Sequence, residues 1–396
     1  MTLSPRAAAT PPLLRHLNER TVLEAIREQA PISRAEISRA VGISKPTVSL
    51  ALRSLLAAGL VREAPAEPGR PNYGATFFEP VPDAALVLGL DFGARFLRGA
   101  VCNLLGDVRA RQDVELGGAD ALQALEMATD LTRRLIASCG LGSETIDGAV
   151  VGVPGVVAAG GDRVTLAESI PGLEGLSVGS ELERRLGVRV RVENDVNLAA
   201  LGEQWRGVAR GVDDFVFLQI GTGLGAGVVL GGSLHRGRNG AAGEVDYALG
   251  VGVERESDPC ADALSAYAER LATAADGDTV LAPPYDVPSI FAAARARDPL
   301  GREVAQEEAR RISRHIAPLA AVVDIELVVI GGGIGVNGDL LLAPIRELLD
   351  RYLPYPPRVE ISSLGDAAVI TGALAVGRDA ALESVFENRA IARAAT

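Results

Sequence analysis

Apolar and polar positions along the first 80 residues follow the period of helices. In "LLRHLNERTVLEAIREQ", Leu14, Leu17, Val22 and Ile26 recur at roughly helical spacing and predict a first amphipathic helix. "SRAE" at 33–36 reads as a capping box, in which the Ser33 hydroxyl accepts the N3 amide and Glu36 reaches back to the cap. A second helix therefore runs to about Val41, where Gly42 supplies the backbone freedom of a tight turn. A third helix is capped by Ser44 and carries Pro46 in its first turn, where a missing N–H costs nothing. Its stripe of Val48, Leu52, Leu55 and Leu56 faces a core, while Lys45, Thr47, Ser49 and Arg53 lie off it. "GLVREAPAEPGRPNYGATFFEP" then predicts a β-hairpin wing with its tip at 69–71.

From Ala84 onward, apolar runs of strand length alternate with helical stretches. "ALVLGLDFG" predicts a buried strand ending in Asp91 and Gly93, followed by strand-like "FLRGAVCNL" and "DVRARQDVEL" and a helix over about 119–137. "GAVVGVPG" repeats the strand-into-glycine pattern up to Gly155, and "VRVRVENDVN" ends a strand on amides and carboxylates. A second cycle opens at "DFVFLQIGTGLGAGVVL", where Gly221-Thr222-Gly223 stands as Asp91-x-Gly93 stands in the first; "IELVVIGGGIG" later runs into Gly332 and Gly333. Two such units predict a duplicated α/β architecture with a cleft between lobes, at the strand ends where open α/β sheets gather ligands. A glycine turn lets backbone amides approach a phosphate, although singly it is more often only a tight turn. Pro68, Pro71, Pro80 and Pro82 place a boundary near residue 80, giving a head of 1–79 and a body of 80–396.

Composition adds several exclusions. The 396 residues, 48% hydrophobic and 23% charged, suit several cores. No apolar run is long enough to span a bilayer and "MTLSPRAAATPP" lacks a hydrophobic signal core, so a cytoplasmic location and no membrane partner are expected. Cys102, Cys139 and Cys260 are scattered without C-x-x-C spacing, against a disulfide scaffold or a clustered zinc site. The net charge of −12 is uneven, about +4 in the first 75 residues and about −16 beyond. A basic head on an acidic body fits a DNA-binding module joined to an effector domain; chance fluctuation is the bland alternative. Lys45 is the only lysine in the chain, which compositional bias toward arginine also explains. Ser44, Lys45, Thr47, Ser49 and Arg53 form the expected major-groove face, and Arg70 at the wing tip would enter a minor groove, whose negative potential attracts arginine. A small helical bundle for protein contacts is the competing account; the helix order, glycine turn and basic wing favour a winged helix-turn-helix.

The order of motifs in the body is more specific than any one of them. D-x-G, P-G, E-N-D, G-T-G-x-G, G-x-x-G-x-A-G-E and G-G-G together resemble the ROK family of repressors and sugar kinases, and the winged helix extends the resemblance over essentially the whole chain. Its most specific piece is "GRNGAAGEVDY" at 237–247, set after "ENDVNLAALGE" at 193–203. The resemblance implies an α/β fold: an N-terminal winged helix-turn-helix, then a two-lobed actin-like ATPase (ribonuclease-H-like) domain. The small lobe would be about 84–198 plus a C-terminal helix at 368–388, and the large lobe about 199–367. It implies that Asp195 occupies the place of the base that takes a sugar hydroxyl's proton. Asn194, Glu244 and Gly155 would contact the sugar. Asp91, Gly93, Gly221, Thr222, Gly223, Gly332 and Gly333 would form the nucleotide-phosphate loops. Apart from the family, Asn194 and Asp195 read equally well as a capped strand-to-helix turn.

Departures from the family pattern shape the functional expectation. The first phosphate loop reads "DFGARF", with Ala94 and Arg95 where small and hydroxyl-bearing residues are expected; Arg95 either crowds the nucleotide phosphates or binds an anion. In the zinc signature, Tyr247 stands for the histidine, Asp246 for its preceding glycine, and only Cys260 remains of the thiols. One thiol cannot build a four-ligand site, so no zinc and no other cofactor are expected. Glu254, Glu256 and Asp258 are candidates for a missing sugar-contacting glutamate, which implies an altered pocket and an effector other than a plain hexose. The leading expectation is a ligand-responsive DNA-binding regulator, a repressor of carbohydrate genes with a degenerate kinase-like domain. It would bind a palindromic operator as a homodimer or dimer of dimers, with a sugar or sugar-derived effector. The alternative is an active ATP-dependent sugar kinase with an appended head, favoured by Asp195 and by Gly221, Gly223 and Gly225. A third is ligand-independent DNA binding with a body that serves dimerisation.

Overall fold

The structure, a computed structural model, describes residues 11–65, 74–140, 146–158, 161–167, 169–247, 257–274 and 279–394. The head comprises α1 (Pro11–Gln29), β1 (Ile32–Ser33), α2 (Arg34–Val41), α3 (Lys45–Ala57), β2 (Val61–Ala64) and β3 (Phe77–Pro80), with its strands antiparallel in the order β1-β3-β2. Each boundary has a local cause. The capping box closes α2 at its start, with the Ser33 amide 2.9 Å from Glu36 Oε2 and the Glu36 amide 3.4 Å from Ser33 Oγ, and Gly42 ends it at φ 69°. The Ser44 hydroxyl accepts from the Thr47 amide to start α3.

The head's core joins Val22, Leu23 and Ile26 of α1 to Ile37, Val48, Leu52, Leu55 and Phe78. The first helix differs from the expectation drawn from its periodicity, because Leu14 and Leu17 are 48% and 51% exposed. The first turns of α1 pass along the flank of α3, beside Thr47 and Leu50, and are not covered there. The wing tip, including Arg70, lies outside the described residues.

The body holds two five-stranded sheets built to one plan. The first contains β4 (Leu86–Phe92), β5 (Phe96–Asn103), β6 (Val108–Glu115), β7 (Gly148–Val153) and β10 (Val190–Asn194), in the order β10-β7-β4-β5-β6. Around it lie α4 (Ala121–Ser138), the short pair β8 (Val156–Val157) and β9 (Val164–Thr165), and α5 (Val178–Leu186), while α6 (Asp195–Arg206) leads away from β10. The second contains β11 (Phe215–Ile220), β12 (Leu224–Leu230), β13 (Ser233–Leu234), β14 (Leu327–Gly331) and β15 (Arg358–Ile361), in the order β13-β12-β11-β14-β15. Its helices are α7 (Ala261–Ala274), α8 (Val287–Arg295), α9 (Pro299–Val323), the single turn α10 (Gly332–Gly335) and α11 (Gly338–Tyr352). In each sheet the leading strand pairs antiparallel with its successor and parallel with a later strand: β4 with β5 and β7, β11 with β12 and β14. Helices cover both faces of the central strands, which is why "LVLGL" and "LVVIG" are unbroken apolar runs.

The last helix, α12 (Ala368–Ala394), joins all three parts. It meets α6 backbone to backbone, since a Cβ on Gly202 would strike the Ala368 carbonyl and one on Gly372 the Leu198 carbonyl. Farther along, Ile370 and Leu374 pack on Val87, Ala100 and Cys102 of the first sheet. Leu382, 2% exposed, then enters the head's core beside Ala85 and Leu104, and Asp379 pairs with Arg20 of α1 at 2.8 Å. Among the described residues no helix is long and apolar enough to cross a membrane.

Candidate functional site

The register of the first sheet assembles the cleft. Asp91 on β4 lies opposite Gly152 on β7, and Val153 opposite Asn194 on β10, so three motifs distant in sequence reach one end of one sheet. Asn194 caps α6 through Oδ1, which accepts from the Asn197 amide at 2.9 Å, while its Nδ2 donates to the Gly155 carbonyl at 3.0 Å. Gly155 has φ 95° and lies so close to the Thr165 carbonyl that a side chain there is excluded. Both the family role and the capped-turn account of Asn194 are thus compatible with its geometry.

Asp195 opens α6, and its Oδ1 accepts its neighbour Val196's amide at 2.9 Å. Burial, then the Asp91 carboxylate and, less strongly, Glu244, push its pKa up to about 7, against backbone hydrogen bonds that favour ionisation. Burial also raises Asp91 to about 6 although Arg98 opposes it, and burial raises Glu244. The cleft therefore gathers three carboxyl groups that hold protons at higher pH than isolated carboxylates. Such groups both donate to and accept from hydroxyls, which suits a polyhydroxylated ligand.

Two arginines missed by the motif reading organise this cluster. Arg98 Nη1 lies 3.2 Å from Asp91 Oδ2, and a Cβ on Gly93 would come within 3.2 Å of the same guanidinium. Arg236 grips the buried Glu193 through Nε at 2.8 Å and Nη2 at 2.6 Å, joining the segment before Glu244 to the end of β10. Arg95, expected at the phosphate loop, instead pairs with Glu115 on β6 at 3.2 Å with its side chain 76% exposed. The reason is register. Arg98 stands in β5 directly opposite Asp91 on β4 and Asp113 on β6, whereas Arg95 precedes the strand, and both arginines stack on the Phe96 ring. Glu203, at the end of the "ENDVNLAALGE" motif, is fully buried and accepts from Ser362, Leu364 and Val208, tying α6 to the segment before α12.

The glycine loops of the second sheet stand side by side at the ends of β11 and β14, where a Cβ on Gly221 would lie 3.9 Å from the Gly333 amide nitrogen. Gly332 has φ 82° and abuts the Ile220 carbonyl, whereas Thr222, Gly223 and Gly333 are exposed. In the segment of the absent zinc signature, Tyr247 is 63% exposed and Cys260 is half-buried. Among the described residues, no three histidine, cysteine or acidic side chains are grouped to hold a metal ion. Of the acidic candidates there, Glu254 and Glu256 lie outside the described residues; Asp258 stands 3.9 Å from the buried His315, which burial keeps below the usual histidine range.

On the head, Lys45 and Arg53 are exposed as expected. The hydroxyls are occupied locally: Ser44 and Thr47 bond each other at 2.8 Å, and Ser49 donates to the Lys45 carbonyl at 2.8 Å. Leu50, not singled out by the sequence reading, is 47% exposed on the same helix.

A profile described as the ROK family matches residues 87–380, and one described as winged helix-turn-helix DNA-binding matches residues 15–62. A protein named Xylose repressor from Caldicellulosiruptor bescii is 26% identical over 386 residues, covering 92% of this chain and 96% of its own. A Glucokinase from Halalkalibacterium halodurans is 30% identical over 312 residues, covering 72% of this chain and 93% of its own. Among solved structures, a ROK family transcriptional regulator described as a homologue of the E. coli MLC protein superposes with a TM-score of 0.80 at 22% identity, over 94% of this chain and 98% of the other.

Proposed function

From the premise that this chain belongs to the ROK family, we propose that it is a DNA-binding transcriptional repressor of carbohydrate genes whose body senses a sugar or sugar-derived ligand. The observation that carries this reading is the shared core of head and body. Leu382 of α12 belongs to the same buried cluster as Val22, Leu52 and Leu55, while the other end of the same helix lies against α6, whose first residue is Asp195. A ligand bound at Asn194, Asp195 and Glu244 is thereby linked to α3 through rigid elements. The head is residues 1–79 and the body 80–396, with lobes of about 84–198 plus 368–388 and about 199–367. The protein binds double-stranded operator DNA as a homodimer or dimer of dimers in the cytoplasm, so that two heads read two half-sites.

The kinase reading is favoured by Asp195, whose pKa of about 7 suits a general base. Against it, Asp91 is held by Arg98 at the loop that would face phosphates and their metal ion. The repressor reading is tested by measuring affinity for a selected duplex with and without D-xylose, D-glucose and their phosphates. One of these should change the affinity at least several-fold, and Glu244→Ala should remove that change while preserving ligand-free DNA binding. Affinity unaffected by every ligand of the set would overturn the sensor assignment.

A further inference from the structure

The outer face of α3 has an apolar centre. Pro46, Leu50, Arg53 and Ala57 are spaced four, three and four residues apart, which sets them in one stripe along a helix, and all four are exposed. Lys45 and Ser49 flank the stripe. The hydroxyls that would otherwise read base edges are bonded to their own helix and cap, Ser49 to the Lys45 carbonyl and Thr47 to Ser44. Leu50 also walls a shallow groove of about 270 Å³ with Leu14 and Asn18 of α1 and Thr47 and Ala51 of α3.

An exposed leucine alone needs no explanation. This one sits between the exposed cations Lys45 and Arg53 on the second helix of the helix-turn-helix, which in this motif enters the major groove. The major groove presents one apolar group to such a side chain, the C5-methyl of thymine; arginine pairs best with the two acceptors of guanine. Leu50 and Arg53 are about 4.5 Å apart along the helix axis, one to two base-pair steps of about 3.4 Å.

We propose that Leu50, supported by Pro46, is a specificity-determining residue that reads thymine methyl groups at the centre of each half-site, with Arg53 reading a guanine one or two base pairs away. This deepens the repressor reading and rests on α3 entering the major groove. The positive charges on either side of Leu50, at Lys45 and Arg53, favour DNA as the occupant over a second copy of the head.

The test uses the full-length protein and duplexes enriched by it from a randomised library at fixed salt. Each thymine of the enriched half-site is replaced in turn by deoxyuridine, which lacks only the methyl group. Wild type should lose about fourfold in affinity at one or two thymines per half-site, the worth of one buried methyl. Leu50→Ala should bind thymine and uracil duplexes equally at those positions while still discriminating the guanine, and should sediment as wild type does. Insensitivity of wild type to every uracil substitution, or full retention of the discrimination in Leu50→Ala, overturns the inference and leaves DNA binding standing. A changed oligomeric state in Leu50→Ala with thymine readout intact assigns the stripe to a second copy and overturns it too. Failure of the wild type to enrich any sequence defeats the repressor reading itself.

Discussion

Asp91 shows how a single residue's neighbours redirect a family motif. It is 3% exposed and pairs with Arg98 at 3.2 Å; burial nevertheless raises its pKa to about 6. Because the folded pKa lies above the unfolded value, the folded state holds the extra proton between about pH 4 and 6, and this group's contribution to stability falls as pH rises through that window. Removing the guanidinium extends the window upward, since Arg98 is the strongest offset to the cost of burying the charge and Arg111 acts more weakly. Arg98→Met should therefore cost little near pH 5, where Asp91 is protonated, and about 3 kcal/mol at pH 8. Thermal melts of both proteins at the two pH values check this; an equal loss at both would mean that Arg98 acts through packing alone.

At the scale of elements, α12 is the decisive piece. A chain of ion pairs leads toward its first turn, from Asp91 to Arg98, on to Asp113 at 3.6 Å, then Arg111 at 3.2 Å and Asp366 at 3.3 Å. From there the helix runs past Trp205, on whose ring Arg378 stacks at 4.7 Å, to Leu382 in the head. If this helix couples the parts, Leu382→Ala should loosen the joint more than either partner. The cavity should cost about 2–4 kcal/mol, seen as a separate, earlier melting step for the head in calorimetry. DNA binding should persist while its response to ligand weakens. A single unshifted transition with full response would show that the joint carries nothing.

For the whole molecule, the question is whether two similar sheets around a cleft still transfer phosphate. The second sheet offers an open glycine platform at Gly221, Gly223 and Gly333, but in the first sheet Asp91 is tied to Arg98. The body also contains no lysine to clamp the β- and γ-phosphates. Positioning and charge stabilisation supply most of the rate in phosphoryl transfer, so a base at Asp195 is insufficient. A coupled ADP-release assay with ATP, magnesium and the sugar that alters DNA affinity should show no turnover above background. Turnover that disappears in Asp195→Ala would establish the kinase instead.

Local chemistry made much of this protein legible in one dimension. The Ser33–Glu36 box, the Ser44 cap, Gly42 and the unbroken apolar strands are short-range features, and each structural element they predict is present. The motif order also singles out Asp91, Asn194, Asp195 and Glu244. What a linear pattern does not contain is which partner each group meets across the fold. Helical spacing marked Leu14 and Leu17 as apolar-face residues, yet burial depends on what lies opposite, and they are exposed. Arg95 and Arg98 are nearly adjacent in sequence, but the register of β5 sets Arg98 opposite Asp91, while Arg95, just before the strand, meets Glu115. The near-neutral pKa of Asp195 and the passage of α12 from the cleft into the head arise from contacts between segments far apart in the chain, where only tertiary packing sets dielectric and distance.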